Sequence, residues 1–128
     1  MKVSLRRLLL VIAGLTVLSG AIQLLAPALV LRLVGGPGGA EPRFLFAILG
    51  MFMVLFGGLA LQALRASATL QALPIRWAAL QKLGAAGAVG LGVAKGVFGP
   101  VASLVAAFDL LTGILFLVHL RRLSRGRR

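Results

Sequence analysis

The chain has 128 residues, the size of a single domain, and 60% of them are hydrophobic. Only 12% are charged, 14 being Lys or Arg and 2 acidic, whereas charged residues make up about a quarter of an ordinary soluble domain. So few polar side chains cannot cover the surface of a soluble fold, and the composition therefore predicts a membrane protein. The absence of cysteine excludes a disulfide framework, cysteine-ligated metals and thiol redox chemistry.

The net charge of +12 raises the alternative of a nucleic-acid-binding module. Such modules interleave basic residues with aromatic or polar ones along a solvated face. In this chain the basic residues stand in short clusters between long apolar runs, and tyrosine is absent. These clusters are better explained as the cytoplasmic flanks of membrane helices, so no nucleic-acid partner is predicted.

The first apolar stretch covers residues 8–31 and carries no charge. It exceeds the roughly 20 residues that a helix needs to cross the hydrocarbon core, and it continues past a weak signal-peptide cleavage pattern near Gly20. An uncleaved first span is predicted, with a kink at Pro27 in its last turns. A segment rich in Gly and Pro, residues 35–42, then breaks the helix.

The second predicted span covers residues 44–64, with Arg43 at its start. Gly50 and Gly57 follow Arg43 at seven-residue intervals, so the three residues share one face of the helix. That face is predicted to turn towards the third span. Residues 65–76 are predicted to form a short polar loop.

The third predicted span, residues 77–99, is rich in Gly and Ala. Small residues recur at every fourth position: Gly84, Ala88, Gly92 and Gly96. This spacing lets a neighbouring helix approach the backbone closely, and it predicts a helix-packing ridge on the most central helix. The simpler alternative is that the ridge reflects a general bias of the chain towards small residues.

The fourth predicted span, residues 101–120, follows a tight turn at Gly99 and Pro100, and a basic tail covers residues 121–128. The predicted fold is thus all-α, a single-domain polytopic membrane protein built as a four-transmembrane-helix bundle.

The distribution of basic residues predicts the orientation of the bundle. Only Arg32 and Arg43 fall on the outer side, and Lys95 lies within a span. Eleven basic residues fall on the side of the N-terminus: Lys2, Arg6, Arg7, Arg65, Arg76, Lys82 and the five arginines of the tail. Basic residues accumulate on the cytoplasmic side, so both termini are predicted there, in a bacterial inner membrane, with the tail against anionic lipids.

Asp109 is the residue that most needs explanation, because a carboxylate at the centre of a membrane helix costs about 2.5–3.5 kcal/mol. Lys95, across the turn on the adjacent helix, is its nearest predicted partner, and Arg43 is the second. The three residues are predicted to form either a ligand-binding cluster or a structural ion pair. Lys82 and His119 are predicted to reach the cytoplasmic interface.

Catalytic signatures are missing from the sequence. It has no phosphate-binding loop, no paired carboxylates, no metal-ligand spacing and no serine with a His and acid partner at a plausible depth. Enzyme activity, a cofactor and a bound metal are therefore not predicted.

The order of these features, with Arg43 and two glycines on the second span, Trp77 opening the third and Asp109 in the fourth, resembles the DoxX-like group of small four-helix membrane proteins. Some members of that group are linked to thiosulfate–quinone oxidoreduction or to membrane redox complexes. The resemblance implies a non-enzymatic structural or accessory subunit, with Arg43 and Asp109 as buried polar positions. Two alternatives remain: a small transporter or ligand-binding protein that uses the Asp109, Lys95 and Arg43 cluster, or a subunit of a quinone-linked redox complex. A homo-oligomer or a larger membrane complex is the expected setting.

Overall fold

A computed structural model of the chain describes residues 4–126, so Lys2, Arg127 and Arg128 lie outside the described residues. The described part is all-α, as predicted, and contains no strand. Its five helices are α1 (Leu5–Leu25), α2 (Pro27–Leu33), α3 (Ala40–Arg65), α4 (Ala68–Ala94) and α5 (Ala102–Arg125).

Three of these helices are long and apolar enough to cross a membrane: α1 with 21 residues, α3 with 26 and α5 with 24. They correspond to the first, second and fourth predicted spans and indicate a membrane protein. Helix α4 is the longest, with 27 residues, but it includes Gln71, Arg76, Gln81 and Lys82 and contains no stretch as apolar as those of the other three.

The first apolar stretch is broken into two helices, which is a larger disturbance than the predicted kink. Helix α1 ends at Leu25, and α2 begins at Pro27. Proline has no N–H to continue the hydrogen-bond ladder, and its ring clashes with the carbonyl four residues earlier, whereas the first turn of a new helix accepts it. Residue Ala26, with φ −135° and ψ 59°, makes the break.

The predicted loop across residues 65–76 is wrong, because α4 already begins at Ala68. The polar residues in this segment mark the first turns of the helix and not a loop. Pro74 lies inside α4 and deprives the Leu70 carbonyl of its usual donor. The connection between α3 and α4 is therefore a short turn, which makes the two helices antiparallel neighbours.

Helices α1 and α3 pack backbone to backbone through glycines. A Cβ on Gly50 would lie 2.7 Å from the Gly20 carbonyl oxygen, and a Cβ on Gly57 would lie 3.1 Å from the Val17 amide nitrogen. The Gln23 side chain, at the same level, donates to the Phe46 carbonyl at 2.9 Å. Gly50 and Gly57 thus lie on the face of α3 that turns towards α1, and not on a face that turns towards the third span as predicted.

The buried apolar core lies near one end of the bundle. It is built from the first half of α1, the second half of α3, the first half of α4 and the second half of α5: Leu9, Ile12, Ala13, Ala60, Ala63, Leu64, Ile75, Ala78, Ala79 and Phe116. At the opposite end the connecting segments meet. The Gly99 N–H donates to the Val34 carbonyl at 2.8 Å, and the rings of Phe46 and Phe98 lie 6.4 Å apart, centre to centre.

The predicted ridge of small residues on α4 does not pack against a neighbouring helix of the chain. Gly84 and Ala88 are exposed, and a Cβ on Gly84 would meet nothing within 4 Å. Gly92 contacts the Phe98 ring of the following connection. Gly96 lies beyond the end of α4 in a turn, with φ 74°, a conformation that glycine adopts readily.

The glycine contacts between α1 and α3 can be tested with matched alanine substitutions. Gly50→Ala should lower the free energy of unfolding by about 1–3 kcal/mol, because the new methyl group has no room beside α1. Gly58→Ala is the control, since no atom lies within 4 Å of a Cβ there, and it should leave stability unchanged or slightly raised. Denaturant unfolding followed by circular dichroism in detergent measures both; equal effects would contradict the close approach.

Candidate functional site

A buried ion pair joins α4 to α5. The Lys82 Nζ lies 2.8 Å from Asp109 Oδ1 and donates a hydrogen bond to it. Lys82 is 5% exposed and Asp109 is 8% exposed, so both charges are removed from the surroundings of the bundle. Each charge is costly to bury alone, and pairing them offsets much of that cost. The structure thus gives the carboxylate of α5 a partner from α4.

Of the three residues predicted to form the site, the structure places only Asp109 in it. Lys95 is exposed and caps the C-terminal end of α4, and Arg43 is exposed in the first turn of α3. The prediction that Lys95 is the nearest partner of Asp109 is replaced by the observed Lys82 contact. The prediction that Lys82 reaches the interface is likewise corrected, because its side chain points into the bundle.

The predicted position of Lys82 at the interface rests on a third span that begins only at Trp77. With α4 starting at Ala68, Lys82 comes close to the middle of the helix. It also continues the buried face formed by Ile75, Ala78 and Ala79, which recurs at intervals of three and four residues. That register is present in the sequence, and it identifies Lys82 as a buried residue once the helix begins at Ala68.

Two further contacts define the surroundings of the ion pair. The Lys82 ammonium lies 5.8 Å from the centre of the Phe108 ring, within the range of a cation–π interaction. One helical turn from Asp109, the Thr112 side chain is only 1% exposed, and its hydroxyl has no hydrogen-bond partner among the described residues. The pair is therefore surrounded by a mainly apolar environment with one unsatisfied hydroxyl close by.

A small cavity lies beside Lys82 where all four long helices meet. Its volume is about 10 Å³. The polar residues in its wall are Thr16 on α1 and Gln81 and Lys82 on α4. The remaining wall is apolar: Ala13, Phe56, Gly57, Ala60, Ala78 and Phe116. This volume admits a water molecule and nothing much larger.

A second group of polar contacts lies nearer to the end of the bundle at which α1 begins and α5 ends. His119 Nε2 is 2.8 Å from Gln71 Oε1, and Gln71 Nε2 donates to the Ala66 carbonyl at 2.8 Å. Arg6 Nε donates to the Leu64 carbonyl at 2.6 Å. His119 is buried, so the prediction that it reaches the interface is wrong. Because the Gln71 amide nitrogen is already directed at Ala66, its oxygen accepts from the His119 N–H.

An open apolar groove of about 420 Å³ runs along the outer surface between α3 and α4. Its walls are aliphatic and aromatic: Phe56, Leu59, Leu73, Pro74 and Trp77. The Trp77 indole N–H is a hydrogen-bond donor in this wall. The groove opens towards the surroundings of the bundle and not towards the buried ion pair.

Comparison with known proteins supplies no assignment: no family model, curated protein or solved structure matches the chain. Among the described residues, no three His, Asp or Glu side chains come together as a metal site. The chemistry that the site offers is consequently that of one buried, hydrogen-bonded pair of opposite charges.

The two lysines of the α4 region provide a matched test of the site. Lys82→Met should lower the free energy of unfolding by about 3–5 kcal/mol, because it leaves the Asp109 carboxylate buried without a partner. Lys95→Met removes an exposed lysine and should change it by no more than about 0.5 kcal/mol. Unfolding titrations of the two purified variants give the comparison. A larger loss for Lys95→Met would refute the observed pairing.

Proposed function

We propose that this chain is a small, non-enzymatic membrane protein of the DoxX-like type that acts as a structural or accessory subunit. In this proposal the Lys82–Asp109 pair is a clamp that fixes α4 against α5. The single observation that carries the proposal is the closed geometry of the pair, with 2.8 Å between the charged atoms and both side chains buried.

The space around the pair favours a structural role over solute binding. Small-molecule sites commonly enclose about 300–1,000 Å³. The cavity beside Lys82 has about 10 Å³, and its walls come from all four long helices. A solute would have to separate these helices before it reached the ion pair.

The same proposal includes four membrane crossings with both termini in the cytoplasm. Helix α4 has 27 residues and would extend about 40 Å at 1.5 Å per residue, enough to cross a membrane. Its least favourable charge, Lys82, is neutralised by Asp109. The described basic residues near the ends of α1, α3 and α5 lie on the side proposed as cytoplasmic and support this orientation: Arg6, Arg7, Arg65, Arg121, Arg122 and Arg125.

Two other functions are retained because particular observations favour each of them. A small transporter or ligand-binding protein is favoured by the ion pair itself, since ionisable residues inside membrane helices often mark transport or proton pathways. A subunit of a quinone-linked redox complex is favoured by the groove between α3 and α4, whose volume of about 420 Å³ and aromatic wall suit a flat apolar ring.

Removal of both charges together separates the clamp from the ligand-binding alternative. The double variant Lys82→Met with Asp109→Leu should fold nearly as stably as the parent, because it leaves no unpaired buried charge. If the pair is a clamp, the double variant should also complement a deletion strain, whereas Asp109→Leu alone should be depleted from the membrane. A stable double variant that fails to complement would instead support ligand binding.

Four crossings can be distinguished from three by labelling single cysteines. The chain contains no cysteine, so Ser4→Cys, Ser67→Cys and Gly126→Cys each introduce one unique thiol. In the proposed topology all three thiols lie on the cytoplasmic side, and a membrane-impermeant maleimide should label them only after lysis. Gly38→Cys, between α2 and α3, is the outward control and should react in intact cells. With three crossings, Ser4→Cys and Gly126→Cys would react on opposite sides.

A further inference from the structure

The hydrogen-bonding capacity of Lys82 exceeds what Asp109 takes up. An ammonium group has three N–H donors, and the contact with Asp109 Oδ1 uses one of them. The side chain also forms part of the wall of the 10 Å³ cavity. A buried charge gains stability when its remaining donors find acceptors, so an acceptor inside this cavity would stabilise the Lys82 ammonium further.

The two other polar residues of the cavity wall can provide further hydrogen bonds to a molecule in the cavity. The Thr16 hydroxyl donates its hydrogen to the Ile12 carbonyl at 3.0 Å, which leaves an oxygen lone pair available as an acceptor. Gln81 contributes an amide that both donates and accepts. A buried water molecule typically makes two to four hydrogen bonds, and these three side chains offer that number.

We propose that this cavity binds one water molecule, which links the Lys82 ammonium on α4 to Thr16 on α1. The volume selects a molecule of the size of water, and the Lys82 charge disfavours a cation. The bound water connects the ion pair between α4 and α5 with the first helix, so three of the long helices meet at one polar point. This inference rests on the proposed clamp and extends it to α1.

Water-edited solid-state NMR of the labelled full-length protein in lipid bilayers tests the proposal directly. Magnetisation from water should reach the Lys82 Nζ about as rapidly as it reaches the exposed Lys95 Nζ, although Lys82 is 5% exposed. The fully buried Leu9 provides the reference for a dry site. Transfer to Lys82 as slow as transfer to Leu9 would overturn the proposal.

Substitutions at three hydroxyl-bearing residues supply one test and two matched controls. Thr16→Val should abolish the rapid transfer to Lys82, because it removes an acceptor of the water. Ser19→Ala should leave the transfer unchanged, although Ser19 also donates to the carbonyl four residues earlier, at 2.7 Å. Thr112→Val, which removes a buried hydroxyl outside the wall of the cavity, should leave it unchanged as well. Equal effects of the three substitutions would contradict a water held by Thr16.

A double-mutant cycle between Thr16→Val and Gln81→Leu gives a second readout. The two side chains line the same cavity and make no direct hydrogen bond with each other among the described residues. If both hold one water, each single substitution should lower the free energy of unfolding nearly as much as the two together, and additive losses would contradict a shared water. If the clamp hypothesis is wrong but the water is present, the charge-free double variant fails to complement while the NMR transfer in the parent protein stays rapid. Failure of the water site leaves that complementation intact and the transfer slow.

Discussion

The packing of α4 against α5 has to satisfy one electrostatic constraint, because Lys82 and Asp109 are buried together as a hydrogen-bonded ion pair and neither charge can be buried alone without a large cost. In a medium of low dielectric constant, burying either charge alone would be strongly unfavourable. At 2.8 Å, the charge of Lys82 offsets much of the cost of burying Asp109, and the charge of Asp109 does the same for Lys82. Helix α4 lacks a stretch as apolar as those of the other three long helices, and Asp109 on α5 supplies the counter-charge for its buried lysine. The pair lies on the buried faces of the two helices, together with Ala78, Ala79, Thr112 and Phe116.

The helix pair α1 and α3, in the first half of the chain, and the pair α4 and α5, in the second half, are stabilised by different interactions. Between α1 and α3, glycines let the backbones approach so closely that dispersion contacts replace side-chain interdigitation. Between α4 and α5, Gly113 allows a similar approach to Leu83, but the ion pair adds direction and fixes the register. In lipid there is little hydrophobic force between apolar helices, so close packing and polar contacts have to provide the association.

The helical class and the three most apolar helices followed from composition and run length, because lipid selects strongly for both. The partner of Asp109 did not, because the polar segment before Trp77 is typical of a loop in membrane proteins but here forms the first turns of α4. Because the predicted third span begins nine residues after the observed start of α4, the prediction places Lys82 at the edge of the bundle and not in its middle. The sequence also does not predict that Gly84 and Ala88 face outward, because their spacing identifies a shared helix face but not what packs against that face.

The order of residues along the chain has a consequence for biogenesis. Every contact between α1 and α3 is made within the first 65 residues, so this half can assemble while the rest of the chain is still being synthesised. Helix α4 follows with an uncompensated lysine, and its counter-charge arrives only with α5. In the four-span arrangement that we propose, we therefore expect α4 to enter lipid more readily together with α5 than on its own.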